Sequence, residues 1–142
     1  MKSKAAKRTR IARVRRIQHD LVAADAAKAE NHASMLESSA ERLAALRNSL
    51  SANMGRANGA SLANLGELAM RLDDARQGLT AAISNARANA THQSQLRLEA
   101  RQRQESAAKL EARAADALAQ FIERNSFTSG RRKARTLAGD NA

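Results

Sequence analysis

Apolar residues in the first half of the chain recur every three or four positions, except on either side of Leu36, where the steps are longer. From residue 11 to residue 50 they are Ile11, Val14, Ile17, Leu21, Ala24, Leu36, Leu43, Leu46 and Leu50. Side chains at this spacing share one face of a helix, and Lys, Arg, Glu and Asn occupy much of the rest. The pattern predicts a first helix over about 5–54, with this stripe as the face that packs against a partner helix.

The helical pattern breaks at residues 55–61, where the sequence is GRANGAS. Two Gly and an Asn supply the permissive backbone that a chain reversal needs. Ser61 is a suitable N-cap for a following helix. We therefore predict a turn over 55–61.

The second half keeps a stricter repeat of seven residues. Its members are Leu65, Leu72, Leu79, Ala86, Gln93, Ala100, Ala107, Ala114 and Phe121. The companion positions, three residues on, are Leu68, Ala75, Ala82, Asn89, Leu96, Arg103, Leu110 and Ala117. Such a repeat keeps one seam of a helix facing a partner, as in a coiled coil. It predicts a second helix over about 62–126, stopped by the turn-forming residues 125–130 and followed by a basic tail over 127–142.

Two long helices joined by a short turn are antiparallel neighbours. Neither apolar stripe is stable in water unless it is covered, so the helices should pack on each other. The predicted fold is all-α, an antiparallel two-helix coiled-coil hairpin that forms a single elongated domain over 1–142. Parallel dimerisation through the second helix is the alternative packing.

The composition agrees with long helices. The 142 residues include no Pro, Trp, Tyr or Cys, and only two Phe. Without Pro nothing interrupts a helix sharply, and without aromatic rings a round core is hard to fill. The lack of Cys excludes disulfides and thiolate metal sites. Because we find neither a signal peptide nor a spanning run of apolar residues, we expect a cytoplasmic protein.

The net charge of +11 lies at the two chain ends. Residues 1–16 contain eight Lys and Arg and no acid, residues 131–142 contain four against one, and residues 17–130 contain thirteen of each sign. A hairpin would bring these ends together into one cationic pole. The candidate partner-binding residues are Arg8, Arg10, Arg13, Arg15, Arg16, Arg131, Arg132 and Lys133.

Eight like charges at a helix N-terminus repel one another and oppose the helix dipole, so this segment is typical of a binding surface. Nonspecific nucleic-acid binding is the alternative to an acidic protein partner. It is less favoured, because residues 4–16 contain no Asn or Gln to read bases and the chain has no Tyr or Trp to stack on them. A membrane surface would require larger apolar anchors than Ile11, Val14 and Ile17.

The sequence contains little that could support catalysis. His19, His32 and His92 are too scattered for a zinc site. Asp73 and Asp74 are adjacent and would point to different faces of a helix. The turn over 55–61 lacks the Lys followed by Ser or Thr of a phosphate loop. We expect no enzymatic activity, cofactor, metal ion or small-molecule substrate.

Three segments carry a resemblance to a known family. They are RIARVRRI at 10–17, RLDDA at 71–75 and RQESAAKLE at 103–111, set in an Ala-rich first helix, a Gly-containing turn and a heptad second helix. This layout resembles the flagellar export protein FliJ family and its YscO-like counterparts in type III secretion. This chain differs from that family in having almost no aromatic residues.

The resemblance implies a non-enzymatic component of the flagellar (type III) protein export apparatus, required for the bacterial flagellum and for motility and chemotaxis. Such proteins are coiled-coil stalks, similar to the central stalk of the rotary ATP synthase. The implied partners are the export ATPase hexamer, the membrane export gate protein and substrate-specific export chaperones, at the cytoplasmic face of the inner membrane. The implied ATPase-facing residues are Arg10, Arg13, Arg15 and Arg16.

Overall fold

The computed structural model consists of two long helices that pack against each other. It describes the backbone of residues 1–56 and 58–139, and the side chains of these residues as far as Thr128. Helix α1 is Lys2–Met54 and helix α2 is Gly59–Gly139, and the described residues contain no strand. The prediction of an all-α antiparallel two-helix hairpin is confirmed.

The turn between the helices is shorter than expected, because α2 begins at Gly59. Asn58 is its N-cap: its Oδ1 accepts a hydrogen bond from the Ser61 backbone N–H at 3.0 Å, and its carbonyl accepts one from Leu62 at 2.8 Å. Asn is among the best N-cap residues. The prediction of Ser61 as the cap was wrong, because Asn58 offers an equivalent side-chain acceptor one turn earlier.

Helix α2 continues past the stop that we expected near residue 126. The hydroxyl of Ser126 donates to the Glu123 carbonyl at 2.7 Å, and that of Thr128 donates to the Arg124 carbonyl at 3.0 Å. These side chains bond to their own helix instead of ending it, and no Pro follows to force a stop. The segment expected as a basic tail is therefore helical as far as Gly139.

The buried seam of α1 follows a seven-residue repeat whose fully buried members are all Ala. Ala12, Ala26 and Ala33 are buried, and Ala5, His19, Ala40, Arg47 and Met54 continue the same repeat half-buried. Leu36, Leu43 and Leu50 of the predicted stripe are half-buried beside it. The prediction for the first part of the stripe was wrong, because Ile11, Val14, Ile17 and Leu21 are 45–63% exposed. It was also wrong for Ala24 and Leu46, which are exposed.

The seam of α2 follows the predicted repeat, from Leu65 to Ala114. All members up to Ala114 are buried or half-buried, whereas Phe121 is exposed. The companion positions lie four residues on instead of three, and include Ala69, Ile83, Ala90, Gln104, Glu111 and Leu118. Of the companion positions that we predicted, only Ala82 and Ala117 are half-buried, and the others are exposed.

The chain divides into two compact units. We call Val22–Arg97 the turn unit, and Met1–Leu21 with Leu98–Ala142 the end unit. The end unit contains 17 Lys and Arg against seven Asp and Glu, a net charge of +10, whereas the turn unit contains eight against seven. The charge imbalance thus belongs to one unit.

In the turn unit, ion pairs join the two helices beside the Ala seam. Arg87 donates from Nη1 to Glu30 Oε1 and from Nε to Glu37 Oε1, both at 2.6 Å. Arg47 Nε lies 3.2 Å from Asp73 Oδ2. The hydrogen bond from Arg87 holds the pKa of Glu37 below its ordinary 4.5, although desolvation opposes this shift. The hydrogen bonds to Glu37 and then Glu30 raise the pKa of Arg87.

Candidate partner-binding surface

The basic segment occupies the first four turns of α1. We define it as residues 2–16, whose members are Lys2, Lys4, Lys7, Arg8, Arg10, Arg13, Arg15 and Arg16. All are exposed except Arg15, which is half-buried. Within the described part of the chain none of them forms an ion pair with an acidic residue, and the first turn of α1 contains no acid. The charge of this segment is therefore available to a partner.

The basic residues do not share one face of α1. Arg8 and Arg15 lie seven residues apart, in the same repeat as Val22 and Ala29, which are half-buried and buried. Guanidinium groups thus occupy positions that α1 gives to apolar side chains further along the chain. Because the interface position is taken by a long charged side chain, the two helices leave a groove between them at this level.

The groove lies in the end unit and has a volume of about 450 Å³. Its lining residues are Arg8, Ile11 and Arg15 from α1, and Gln102, Arg103, Ser106, Ala107 and Leu110 from α2. We call it the arginine groove. Three arginines and no Asp or Glu are among its lining residues. A second groove of about 300 Å³, lined by Arg10, Ile11, Val14, Arg15 and Gln18, shares two residues with it.

The guanidinium groups of the arginine groove have few strong partners within the chain. Arg15 Nη1 donates to Gln18 Oε1 at 2.9 Å, which satisfies one of its five N–H groups and none of its charge. Arg103 Nη2 lies 3.4 Å from Glu99 Oε2, longer than a typical charge-assisted hydrogen bond. Each of these side chains can still form a bidentate pair with an added carboxylate.

Apolar side chains lie among these charges. Ile11 is 45% exposed at one wall of the groove and Leu110 is 41% exposed at the other. Val14, Ile17 and Leu21 extend an exposed stripe along α1. The residues that we expected to form the core of the hairpin are instead available to cover a second molecule.

The structure thus divides the predicted site residues into three groups. Arg8 and Arg15 line the arginine groove, and Arg10 lines the neighbouring one. Arg13 and Arg16 are exposed and line neither. The side chains of the third group lie outside the described residues: Arg131, Arg132 and Lys133.

Five site residues contributed by α2 were missed: Gln102, Arg103, Ser106, Ala107 and Leu110. A signal existed for one of them. Arg103 stood among the predicted companion positions, and an Arg at such a position marks a place where apolar packing is interrupted. Pairing it with Arg8 and Arg15 required the register of the two helices, which the sequence pattern left open.

Among residues 1–56 and 58–128, no three His, Asp or Glu side chains gather in a group that could hold a metal ion. Asp73 pairs with Arg47, and His19 Nδ1 lies 3.2 Å from Asp20 Oδ1.

Within the described part of the chain, neither helix contains a stretch long and apolar enough to cross a membrane. No family model, curated protein or solved structure matches this chain.

Proposed function

We propose that this protein is a non-enzymatic coiled-coil stalk of the flagellar (type III) export apparatus, which binds the export ATPase ring through the basic segment. The observation that carries the proposal is a segment of eight cations at the start of a two-helix hairpin, none of them paired with an acid that the structure describes. The resemblance of residues 10–17, 71–75 and 103–111 to the FliJ family supplies the particular apparatus.

Charge suits this role for a physical reason. A stalk inside a ring of six similar subunits cannot match the directional contacts of every subunit at once. Attraction between a cationic surface and acidic loops acts over about 8 Å at physiological salt and tolerates rotation. The basic segment provides such attraction without requiring one fixed set of hydrogen bonds.

The export gate and the substrate chaperones complete the proposed set of partners, and they would hold the protein at the cytoplasmic face of the inner membrane. Exposed apolar side chains on α2 offer contact area for these proteins. Phe121, Ile122 and Phe127 are 45–71% exposed and follow Leu118, after which every described side chain is exposed. Aromatic side chains of this kind are common anchors in protein interfaces.

The proposal is tested by reversing charge on the basic segment. We expect Arg13, Arg15 and Arg16 changed together to Glu to abolish capture by the export ATPase of the same organism in a pull-down at physiological salt. Circular dichroism should show unchanged helicity, because these side chains contribute little to the Ala seam.

The matched control makes the same change of charge in the turn unit. Arg42, Arg56 and Arg76 are exposed and form no ion pair with another described residue. Their triple change to Glu should leave ATPase capture intact. Capture that survives the first triple variant, or is lost equally in both, would contradict the assignment of the basic segment.

The unpaired cations also favour a second candidate function, nonspecific binding of nucleic acid. Such binding weakens steeply with salt, because each phosphate contact releases counterions. Tight retention of random duplex DNA with a steep salt dependence, together with no capture by the ATPase, would support this function over the export stalk.

A further inference from the structure

We propose that the arginine groove is the docking site for an acidic amphipathic helix of a partner protein. The apolar ridge of that helix covers Ile11 and Leu110, and its carboxylates pair with Arg8, Arg15 and Arg103. The inference deepens the proposed function and rests on it only in taking a protein as the partner.

The positive charge of the groove predicts that its occupant is negatively charged. Three arginines and no Asp or Glu line one groove, in a unit with a net charge of +10. Arg15 is half-buried and forms no ion pair with a described acidic residue. An entering carboxylate would form the bidentate pairs that the planar guanidinium favours. A second copy of this chain is a poor occupant, because two such units repel each other.

The apolar walls of the groove predict that its occupant also carries apolar side chains. Ile11 and Leu110 are each more than 40% exposed. Burying apolar area stabilises a complex by about 25 cal/mol per Å². A nucleic-acid backbone supplies phosphates but no apolar group to cover these walls. A flat bilayer surface reaches the outer stripe of α1 more readily than a groove between two helices. A protein segment with aliphatic and acidic side chains satisfies both features.

The spacing of the arginines indicates a helix. Arg8 and Arg15 are seven residues apart on α1, about 10.5 Å along its axis. Two carboxylates seven residues apart on a partner helix have the same separation and lie near the same face. Arg103, on α2, adds a third cation from the opposite wall. The partner would lie along both helices and form a local three-helix contact, in the helix-in-groove mode of recognition.

The test uses the intact chain and two fluorescein-labelled peptides of 18 residues. One is a designed amphipathic helix with Leu along one face and flanking Glu, and the other has the same composition in scrambled order. Affinities are measured by fluorescence anisotropy at physiological salt. We expect the amphipathic peptide to bind at least about tenfold more tightly than the scrambled one, because only it presents a continuous apolar ridge.

Matched variants separate the groove from general cationic attraction. We expect Arg8→Glu with Arg15→Glu to weaken binding of the amphipathic peptide by more than about tenfold. The same change of charge at Arg13 and Arg16, outside the groove, should weaken it by less than about threefold.

A second pair of variants tests the apolar wall without changing charge. Ile11→Ser should weaken peptide binding several-fold, whereas Ile17→Ser, at an equally exposed position outside the groove, should leave it unchanged. Thermal melts followed by circular dichroism verify that each variant remains folded.

Three outcomes would overturn the inference. One is equal affinity for the two peptides, and another is equal loss from the two double-charge variants. The third is that duplex DNA or vesicles of anionic phospholipid, and not the peptide, bind in a manner sensitive to the Arg8 and Arg15 changes. None of these measurements uses the export ATPase. If the peptide binds but the ATPase does not capture the protein, the proposed function is refuted and the docking site in the groove is supported. If the ATPase captures the protein but the peptide does not bind, only the docking site in the groove is refuted.

Discussion

Two glycines inside α2 provide a quantitative test of the fold. Gly66 and Gly78 lie well within the helix, and neither has a positive φ. A Cβ at either position would meet no atom within 4 Å other than its chain neighbours and the backbone of its own helix. Replacing each by Ala should therefore remove the cost of a helical glycine, about 1 kcal/mol per site, without steric strain.

The two gains should add. The sites are 12 residues apart, which separates them by about 18 Å along the helix, and distant sites without shared contacts are usually additive. The expected stabilisation of the double variant is about 2 kcal/mol. With an unfolding entropy of about 0.3 kcal/mol per kelvin for 142 residues, the melting temperature should rise by about 7 °C.

The assay is thermal and urea unfolding followed by circular dichroism at 222 nm. Ala81→Gly, at an exposed position of the same helix, is the reverse control and should lower stability by about 1 kcal/mol. If the double variant melts at or below the temperature of the original protein while the control behaves as expected, the glycines are not in an open, regular helix, and the reasoning fails.

Three further predictions follow from the packing and the ion pairs. Ala33 is completely buried, so Ala33→Leu should lower the free energy of unfolding by about 1–3 kcal/mol. Ser34→Leu, at the exposed neighbouring position, should change it by less than about 0.5 kcal/mol. An Ala33→Leu variant that melts at a higher temperature than the original protein would contradict a close-packed seam. Because the pKa of Glu37 is lower in the folded chain than its ordinary value of 4.5, the ionised carboxylate stabilises the fold fully above pH 4.5. This stabilisation is lost as the pH falls through the lower pKa of the folded state. Glu37→Gln should therefore lower the melting temperature at pH 7 and flatten its decline in acid. Spin labels at Arg16 and Ala100, both in the end unit, should lie about 20 Å apart or less within one molecule; a wide separation would favour the parallel dimer.

The end unit has two kinds of exposed cationic surface, which the sequence alone did not distinguish. Arg13 and Arg16 are exposed charges outside the groove, whereas Arg8 and Arg15 border a groove with apolar walls. Charge reversal outside the groove should mainly slow association with the proposed partner, and charge reversal inside it should also speed dissociation, because in the proposed complex only the groove residues would form close pairs.

The sequence by itself determined the class of fold and the place of the charge. Seven-residue spacing from Leu65 to Ala114 and the break after Met54 were sufficient for two antiparallel helices, because periodicity and turn chemistry are local properties of the chain. The basic opening was equally visible, since it is a matter of counting charges.

Only the tertiary structure decided which face of α1 is buried. Hydrophobicity alone favoured Ile11, Val14 and Ile17 over Ala, yet the seam uses Ala12, Ala26 and Ala33, and the larger side chains remain outside. The physical reason is that helices in close contact require small side chains between them, and Ala also fills exposed positions, so its buried members carry no distinct signal. The meeting of Arg8 and Arg15 with Arg103, some 90 residues later in the sequence, likewise depends on the register between the two helices, which no local pattern specifies.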